Sequence, residues 1–211
     1  MIKNILWDFD GVILDSMKIK GDGFIELFKK YDIDKVKEIE SYHYKNGGIS
    51  RFDKIEYFFK NILKKDINSN EVLSLADQFS NIIKEKLYEP SNLIEETVDF
   101  IKYNFQKYNF HIVSGAEHNE LNEICTKLDL VQYFKSINGS PIKKDILVKD
   151  ILEKNQYNKE ETILIGDSFT DYNAANKNQI RFFGYNNREL EEYENYIEYG
   201  LDNINNCKLI K

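Results

Sequence analysis

Sulfur is scarce in this chain. Cys125 and Cys207 are its only cysteines, too few for a disulfide framework or a thiolate zinc site, and two ordinary thiols suit a reducing compartment. A basic stripe is also missing. The formal charge is −7, with lysines and glutamates mixed through the chain, which argues against a nucleic-acid partner. No apolar run approaches the roughly 20 residues of a membrane span. Acids interrupt the apolar start of "MIKNILWDFD", so neither a membrane partner nor a signal peptide is expected, and the expected location is the cytoplasm. There are only two prolines, and the surplus of Lys, Asn, Ile and Tyr reads as coding bias without bearing on function. What remains is ample for a core: 42% of residues are apolar and 14% aromatic, which argues against disorder. A length of 211 residues allows one large domain, or a core with a modest insertion.

The apolar pattern changes twice. "KNILWDF" reads as a buried strand stopped by Gly11. From about Lys18 to Tyr88 the apolar residues recur every three or four positions, in "GFIELFKKY", "DKVKEIESYHY", "RFDKIEYFFKNILKK" and "NEVLSLADQFSNIIKEKL", which predicts helices. "KNGGIS" breaks the second from the third, Ser50 with Asp53 marks a helix start, and Pro90 closes the block. Strands and helices then alternate: a helix at about 95–108, the strand "FHIVSG", a helix over 117–128, "YFKSINGS", a helix over 144–154, "TILIGDS", and a last helix before "IRFFGY". Alternation of this kind predicts a parallel sheet with right-handed crossovers. The fold class expected is α/β, a Rossmann-like parallel sheet sandwiched by helices. Residues 1–15 and 90–211 read as its core and 16–89 as an inserted helical cap.

Ligands of open parallel sheets sit beyond the carboxyl ends of the strands. Those ends carry Asp8 and Asp10, then Ser114 and Gly115, then Lys143 and Lys144 in "GSPIKKD", then Asp167 and Asp171 in "GDSFTD". Four carboxylates at one sheet edge repel one another and push at least one pKa upward. A hard divalent cation and a lysine can offset that. Oxygen ligands with room for water and phosphate suit Mg²⁺, while a hydroxyl, a backbone N–H and an ammonium suit a phosphoryl dianion. A lone D-x-D is a weak signal, Ser114 alone could be a turn residue, and Asp167 with Ser168 could be a helix cap. Their conjunction in four separate loops points to phosphoryl transfer.

"DFDGVILDS", "IVSGA", "SPIKKD" and "IGDSFTD" resemble, in order and spacing, the four motifs of the haloacid dehalogenase superfamily, and the helical segment resembles that family's cap. The resemblance spans nearly the whole chain. It implies that Asp8 is a nucleophile forming an aspartyl phosphate, and that Asp10 is the acid for the leaving alkoxide and then the base for water. Ser114, Gly115 and a lysine would hold the phosphoryl oxygens. Asp8, the Asp10 carbonyl and Asp167 would hold Mg²⁺, and Asp171 would orient the lysine or a metal-bound water. The third motif departs from the common form because Pro141 precedes both lysines. Lys144 fits the S-P-x-x-K variant, and Lys143 is the alternate. The family's dehalogenases do not need the second aspartate, so Asp10 favours phosphoryl transfer.

The cap would select the substrate. In "NGGISRFDK" two glycines allow close backbone approach, Ser50 and Gly48 lie in the same turn, and Arg51 could pair with a substrate oxyanion. An ordinary interhelical turn with a solvated arginine is the plainer alternative. This loop is similar to that of β-phosphoglucomutase-like members, which carry a histidine twelve residues after the nucleophile. Here that position is Lys20, which favours hydrolysis over mutase chemistry. His43 remains a cap candidate beside the plainer expectation of a surface or partly buried residue, His111 is expected inside a strand, and His118 at the site's rim. Two other classes compete. A phosphoacceptor signalling domain would not place its aspartate on the first strand, and a non-catalytic phosphate-binding module would be expected to lose Asp8 or Asp10. The reading is therefore a Mg²⁺-dependent phosphatase for a small metabolite, a sugar phosphate or a phosphoglycolate-like acid. The polar "GGISR" loop tilts it toward the sugar, and the chain is expected to be a monomer or weak homodimer.

Overall fold

In the segment "NILW", Ile5, Leu6 and Trp7 are shut off from solvent entirely, as expected of a strand covered on both faces. Alternate side chains of a strand point to opposite sides. Ile5 and Trp7 accordingly join one apolar cluster and Leu6 the other. A computed structural model describes residues 1–193, 195–197 and 201; Cys207 lies outside them. Strand β1 (Asn4–Trp7) is the centre of a parallel sheet ordered β3-β2-β1-β4-β5-β6. Its partners are β2 (Asn109–Glu117), β3 (Ser136–Ser140), β4 (Thr162–Gly166), β5 (Arg181–Gly184) and β6 (Asn195–Tyr196). All the pairings are parallel. The strands run as predicted; the two-residue edge strand β6 has no apolar alternation by which it could be foreseen.

Helices cover both faces. One face packs on α7 (Lys144–Asn155) and α8 (Phe169–Asn178), through Leu147, Val148, Ala174 and Ala175. The other packs on α5 (Glu95–Asn104) and α6 (His118–Lys127), through Val98, Ile101, Leu121 and Ile124. Each fully buried large side chain contributes about 1.5–3 kcal/mol. Trp7, Phe100 and Phe110 add ring contacts at 5.7–5.9 Å around Trp7.

Between β1 and α5 lie four further helices: α1 (Met17–Phe28), α2 (Ile33–Lys45), α3 (Arg51–Tyr57) and α4 (Ser69–Leu87). Their boundaries follow local rules. Ser50 caps α3 by accepting from the Asp53 amide at 3.2 Å, and Asn68 with Glu71 forms a reciprocal capping box on α4. Pro90 opens a short 3-10 turn after α4. Phe24, Phe28 and Phe79 from these helices, with Phe58 from the π-helical turn that follows α3, join the same apolar cluster as Ile5 and Trp7. No helix among the described residues is long and apolar enough to cross a membrane.

Candidate active site

The sheet carries its carboxylates to one place. Asp8 follows β1 directly, Asp167 follows β4, and Asp171 sits in the first turn of α8. Oxygens of these three approach within 4.8 Å of one another. Lys144, the first residue of α7, reaches between them: its ammonium lies 2.9 Å from Asp8 Oδ1 and also donates to Asp171. Lys143, one residue earlier, is exposed. The geometry thus separates the two lysines left open by the motif, and only Lys144 meets the carboxylates.

Both oxygens of Asp171 are used by the protein. Oδ1 accepts from Lys144, and Oδ2 accepts from the Ser168 amide and hydroxyl. This leaves Asp8 Oδ2 buried without a hydrogen-bond partner, beside Asp167. A buried carboxylate oxygen with no donor is costly unless something else faces it. Two glycines keep the cluster tight. Gly11 has φ +78°, and a Cβ there would stand 2.1 Å from Asp167 Oδ2. A Cβ on Gly166 would stand 2.3 Å from the Asp171 carboxyl carbon.

These crowded charges shift their pKa values. Burial, then the Asp171 charge, pushes Asp8 up to about 7, against the opposing pull of Lys144. Burial and Asp8 push Asp167 well above the usual carboxylate range. Burial opposes the charge on Lys144, but Asp171 and Asp8 outweigh it and hold its pKa above the ordinary lysine value.

Asp10 has a different environment. Lys20 on α1 donates to its Oδ2 at 2.5 Å, and Ser16 to its Oδ1 at 2.5 Å. Burial alone would raise this carboxyl; Lys20 and Ser16 override it and hold it below its ordinary range. Ser16 occupies the N-cap of α1, yet its side chain makes no capping bond. Its hydroxyl serves Asp10 instead, a local rule set aside in favour of the site. Ser114 lies within β2, where the pairing register with β3 shifts, is 1% exposed and accepts from the Ala116 amide at 3.1 Å.

The loop before α3 is pressed onto this edge. A Cβ on Gly115 would lie 2.3 Å from the Gly48 carbonyl oxygen, and Thr170 donates to the Gly47 carbonyl at 3.3 Å. Gly48 itself has φ +75°, which glycine adopts freely. Ser50 is occupied in capping α3 and donates to Asp53 at 2.6 Å. Arg51 departs from expectation. Its guanidinium is buried, makes a two-pronged pair with Glu120 of α6, donates to Ser80 and lies 4.9 Å from the Phe79 ring centre. Glu120, which burial would raise, is held below its ordinary range by Arg51. A solvated arginine or one aimed at a substrate oxyanion was expected; the structure instead gives it a counter-ion 69 residues away.

Two cavities flank the Gly48–Ile49 loop. The inner one, about 30 Å³, is bounded by Asp10, Lys20, His43, Arg51, Lys54 and Gly115. The outer, about 400 Å³, reaches from Ser50 and Asp53 to Lys143, Lys144 and Lys177. His43, expected at the surface or partly buried, is 1% exposed. Burial, then Lys54, pushes its pKa down to about 3. Lys54 is 4% exposed, and burial with the nearby Lys20 lowers it to about 7. The sequence reading missed Lys54, whose only signal was a cation on the buried side of a short amphipathic helix. His111 is buried in β2 between Ser136 and Tyr157. His118 lies exposed at the start of α6 and accepts from the Gly139 amide at 3.3 Å, outside both cavities.

Comparison with known proteins bears on the fold. No protein of curated function matches the sequence significantly. Solved structures do match in fold. A β-phosphoglucomutase from Clostridium difficile superposes with a TM-score of 0.78 at 18% identity, covering 98% of this chain and 96% of that one. A HAD-hydrolase from Bacillus subtilis solved with magnesium gives 0.70 at 19%, covering 97% of each. A predicted phosphoglycolate phosphatase from Haemophilus somnus gives 0.68 at 17%, covering 87% and 85%. A family model described as haloacid dehalogenase-like hydrolase matches residues 5–185. That span runs from β1 through β5 and includes every carboxylate of the cluster, so the chain belongs to the haloacid dehalogenase-like hydrolases.

Proposed function

We propose that the protein is a Mg²⁺-dependent phosphatase that hydrolyses a small phosphomonoester through a phosphorylated Asp8, with residues 16–89 as the cap. The observation that carries the reading is the asymmetry of Asp8. Lys144 and the Phe9 amide hold Oδ1 at 2.9 and 2.7 Å, while Oδ2 has no partner. One oxygen fixes the carboxylate and the other is free to attack phosphorus.

In the first step Asp8 Oδ2 bonds to phosphorus, the bond to the leaving oxygen breaks, and Asp10 gives that oxygen its proton. In the second, water bonds to phosphorus, gives a proton to Asp10, and releases Asp8 with inorganic phosphate. Lys20 holds Asp10 ionised, which is the form a base needs. The acid role requires a proton, and a phosphoryl dianion bound alongside favours one. In this reading Ser114, Gly115 and Lys144 bind the phosphoryl oxygens; the contact of Lys144 with Asp8 and the exposure of Lys143 support the choice of lysine.

The donor set fits a hard cation: Asp8 and Asp167 offer carboxylate oxygens, and Asp171 is spent on Lys144 and Ser168. The Asp10 carbonyl is the third ligand in this reading. When bound, Mg²⁺ would offset the carboxylate charge and polarise a phosphoryl oxygen. A pH dependence follows. The metal-free protein keeps a proton on Asp8 up to about pH 7, and a cation must displace it. Asp167, also held well above the usual carboxylate range, must lose its proton too, so Mg²⁺ affinity is expected to fall by at least about tenfold per pH unit below that point. Titration calorimetry from pH 5 to 8 measures this; affinity independent of pH would contradict it.

The fold is shared with mutases as well as phosphatases, and Lys20 bears on the choice. It occupies the place where the mutase histidine is expected and is committed to Asp10. A panel of phosphorylated metabolites, assayed for released phosphate and for isomerised product, tests the reading. Isomerisation faster than hydrolysis in the presence of a bisphosphate activator would replace it.

A further inference from the structure

Charge does not balance in the inner cavity. Three cationic side chains line it, and two have carboxylates: Lys20 meets Asp10 at 2.5 Å, and Arg51 meets Glu120. Lys54 has none within 4 Å among the described residues; its ammonium is hydrogen-bonded only to His43 Nδ1, at 3.0 Å. The tautomer of His43 is fixed by its other nitrogen. Nε2 lies 2.9 Å from the Met17 carbonyl oxygen, which can only accept, so Nε2 carries the hydrogen and Nδ1 offers a lone pair. His43 is thus a neutral acceptor, held among Phe24 and Tyr44 rings at 5.4 and 5.1 Å. It takes one of the three donors of Lys54 and supplies no charge. Keeping an unmatched ammonium out of water costs several kcal/mol, which is why the pKa of Lys54 falls to about 7; a carboxylate beside it would hold it charged.

From this we infer that Lys54, seated on His43, is a specificity-determining residue that receives a carboxylate carried by the substrate's leaving group. The inference rests on the phosphatase reading and narrows its substrate class. Asp10, which hands a proton to the leaving oxygen in that reading, borders the same cavity as Lys54, so the leaving group lies between them. Size selects the anion. One water needs about 10–15 Å³ of cavity, so about 30 Å³ accommodates the two oxygens of a carboxylate. A second phosphate or a sugar ring exceeds that volume and would have to extend beyond it. The leaving group is then a short hydroxy acid, which reverses the preference for a sugar drawn from the polarity of the "GGISR" loop.

The test compares phosphoglycolate with 2-hydroxyethyl phosphate, an ester of the same length with no second charge, and with ethylene glycol bisphosphate. Lys54→Met is expected to lower kcat/KM for phosphoglycolate about 10- to 100-fold, mainly through KM, and to change 2-hydroxyethyl phosphate less than about threefold. Equal losses on these two esters would mean that Lys54 serves the phosphoryl group, and the inference would be overturned. A loss confined to the bisphosphate would overturn the choice of carboxylate. Calorimetric binding of the same esters to Asp8→Asn protein, with and without Lys54→Gln, gives a readout independent of turnover and a milder substitution should Lys54→Met fail to fold. If wild-type protein turns over no phosphomonoester, the phosphatase reading falls. A binding preference for phosphoglycolate that Lys54→Gln removes would still uphold Lys54 as the carboxylate receptor, and its absence would reject both.

Discussion

Asp8→Asn is expected to reduce turnover of p-nitrophenyl phosphate with Mg²⁺ by at least about 10⁴-fold, the scale seen when a nucleophile is lost, without lowering stability. The two halves of this outcome come from the same geometry. An amide cannot donate the lone pair that Oδ2 offers phosphorus, so covalent chemistry stops. The amide oxygen can still accept from the Phe9 amide and from Lys144, which now hold Oδ1 at 2.7 and 2.9 Å. Burial and the charge of Asp171 already disfavour the ionised form of Asp8, so replacing it with a neutral group relieves repulsion. The melting temperature of the metal-free variant should therefore equal or exceed that of the wild type. Mg²⁺ should raise it less, because one of the two free carboxylates is gone. A variant that keeps more than about one hundredth of the wild-type rate would remove Asp8 from the role of nucleophile. A variant that is inactive because it unfolds would show the carboxylate to be structural.

Much of this site was legible in the sequence because its parts lie where strand ends put them. "NILW" had to be a buried strand, and the acids just beyond it could only face the ligand edge. The same logic placed Asp167 and Asp171, whereas Ser114 lies inside β2, which runs on to Glu117. Asp171 was doubly marked, since it is also the third residue of an α8 capping box with Ser168. What stayed hidden were contacts between distant side chains. Lys20 was read as the absence of a histidine, whereas it is the partner of Asp10. Arg51 was read as a group reaching for substrate, because no periodicity announces that Glu120 will face it from another helix. Ser16 stands at the N-cap of α1, yet its hydroxyl is spent on Asp10, a pairing that no local rule announces. His43 and Lys54 lie eleven residues apart on different helices, and only the packing of α2 against α3 reveals that they meet. Local propensity thus located the strands and loops, while charge pairing across the helical segment required coordinates.

The two adjacent lysines of "SPIKKD" give the sharpest contrast for a single substitution. Lys144→Met should cost about 3–5 kcal/mol in metal-free protein, the usual penalty for removing one partner of a buried ion pair. Lys143→Met should stay within about 0.5 kcal/mol, as for an ordinary surface change. Urea unfolding of each variant measures the difference. Lys144 is the one cation among the described residues in contact with both Asp8 and Asp171, and without it three carboxylates face one another at the end of the sheet. The protein has one escape, which is to keep protons on them. Asp8, whose pKa is already about 7, would be pushed higher, and the folded state would hold a proton that the unfolded chain releases. The penalty for Lys144→Met should consequently be smaller at pH 5 than at pH 8, and Mg²⁺ should recover part of it at the higher pH. Catalysis would not recover with stability, because the ammonium also faces the phosphoryl oxygens; losing such a donor costs about 10²–10³ in rate. If Lys143→Met were the costly variant, the third motif would have to be read in the other register. The carboxylates would then owe their balance to something other than Lys144.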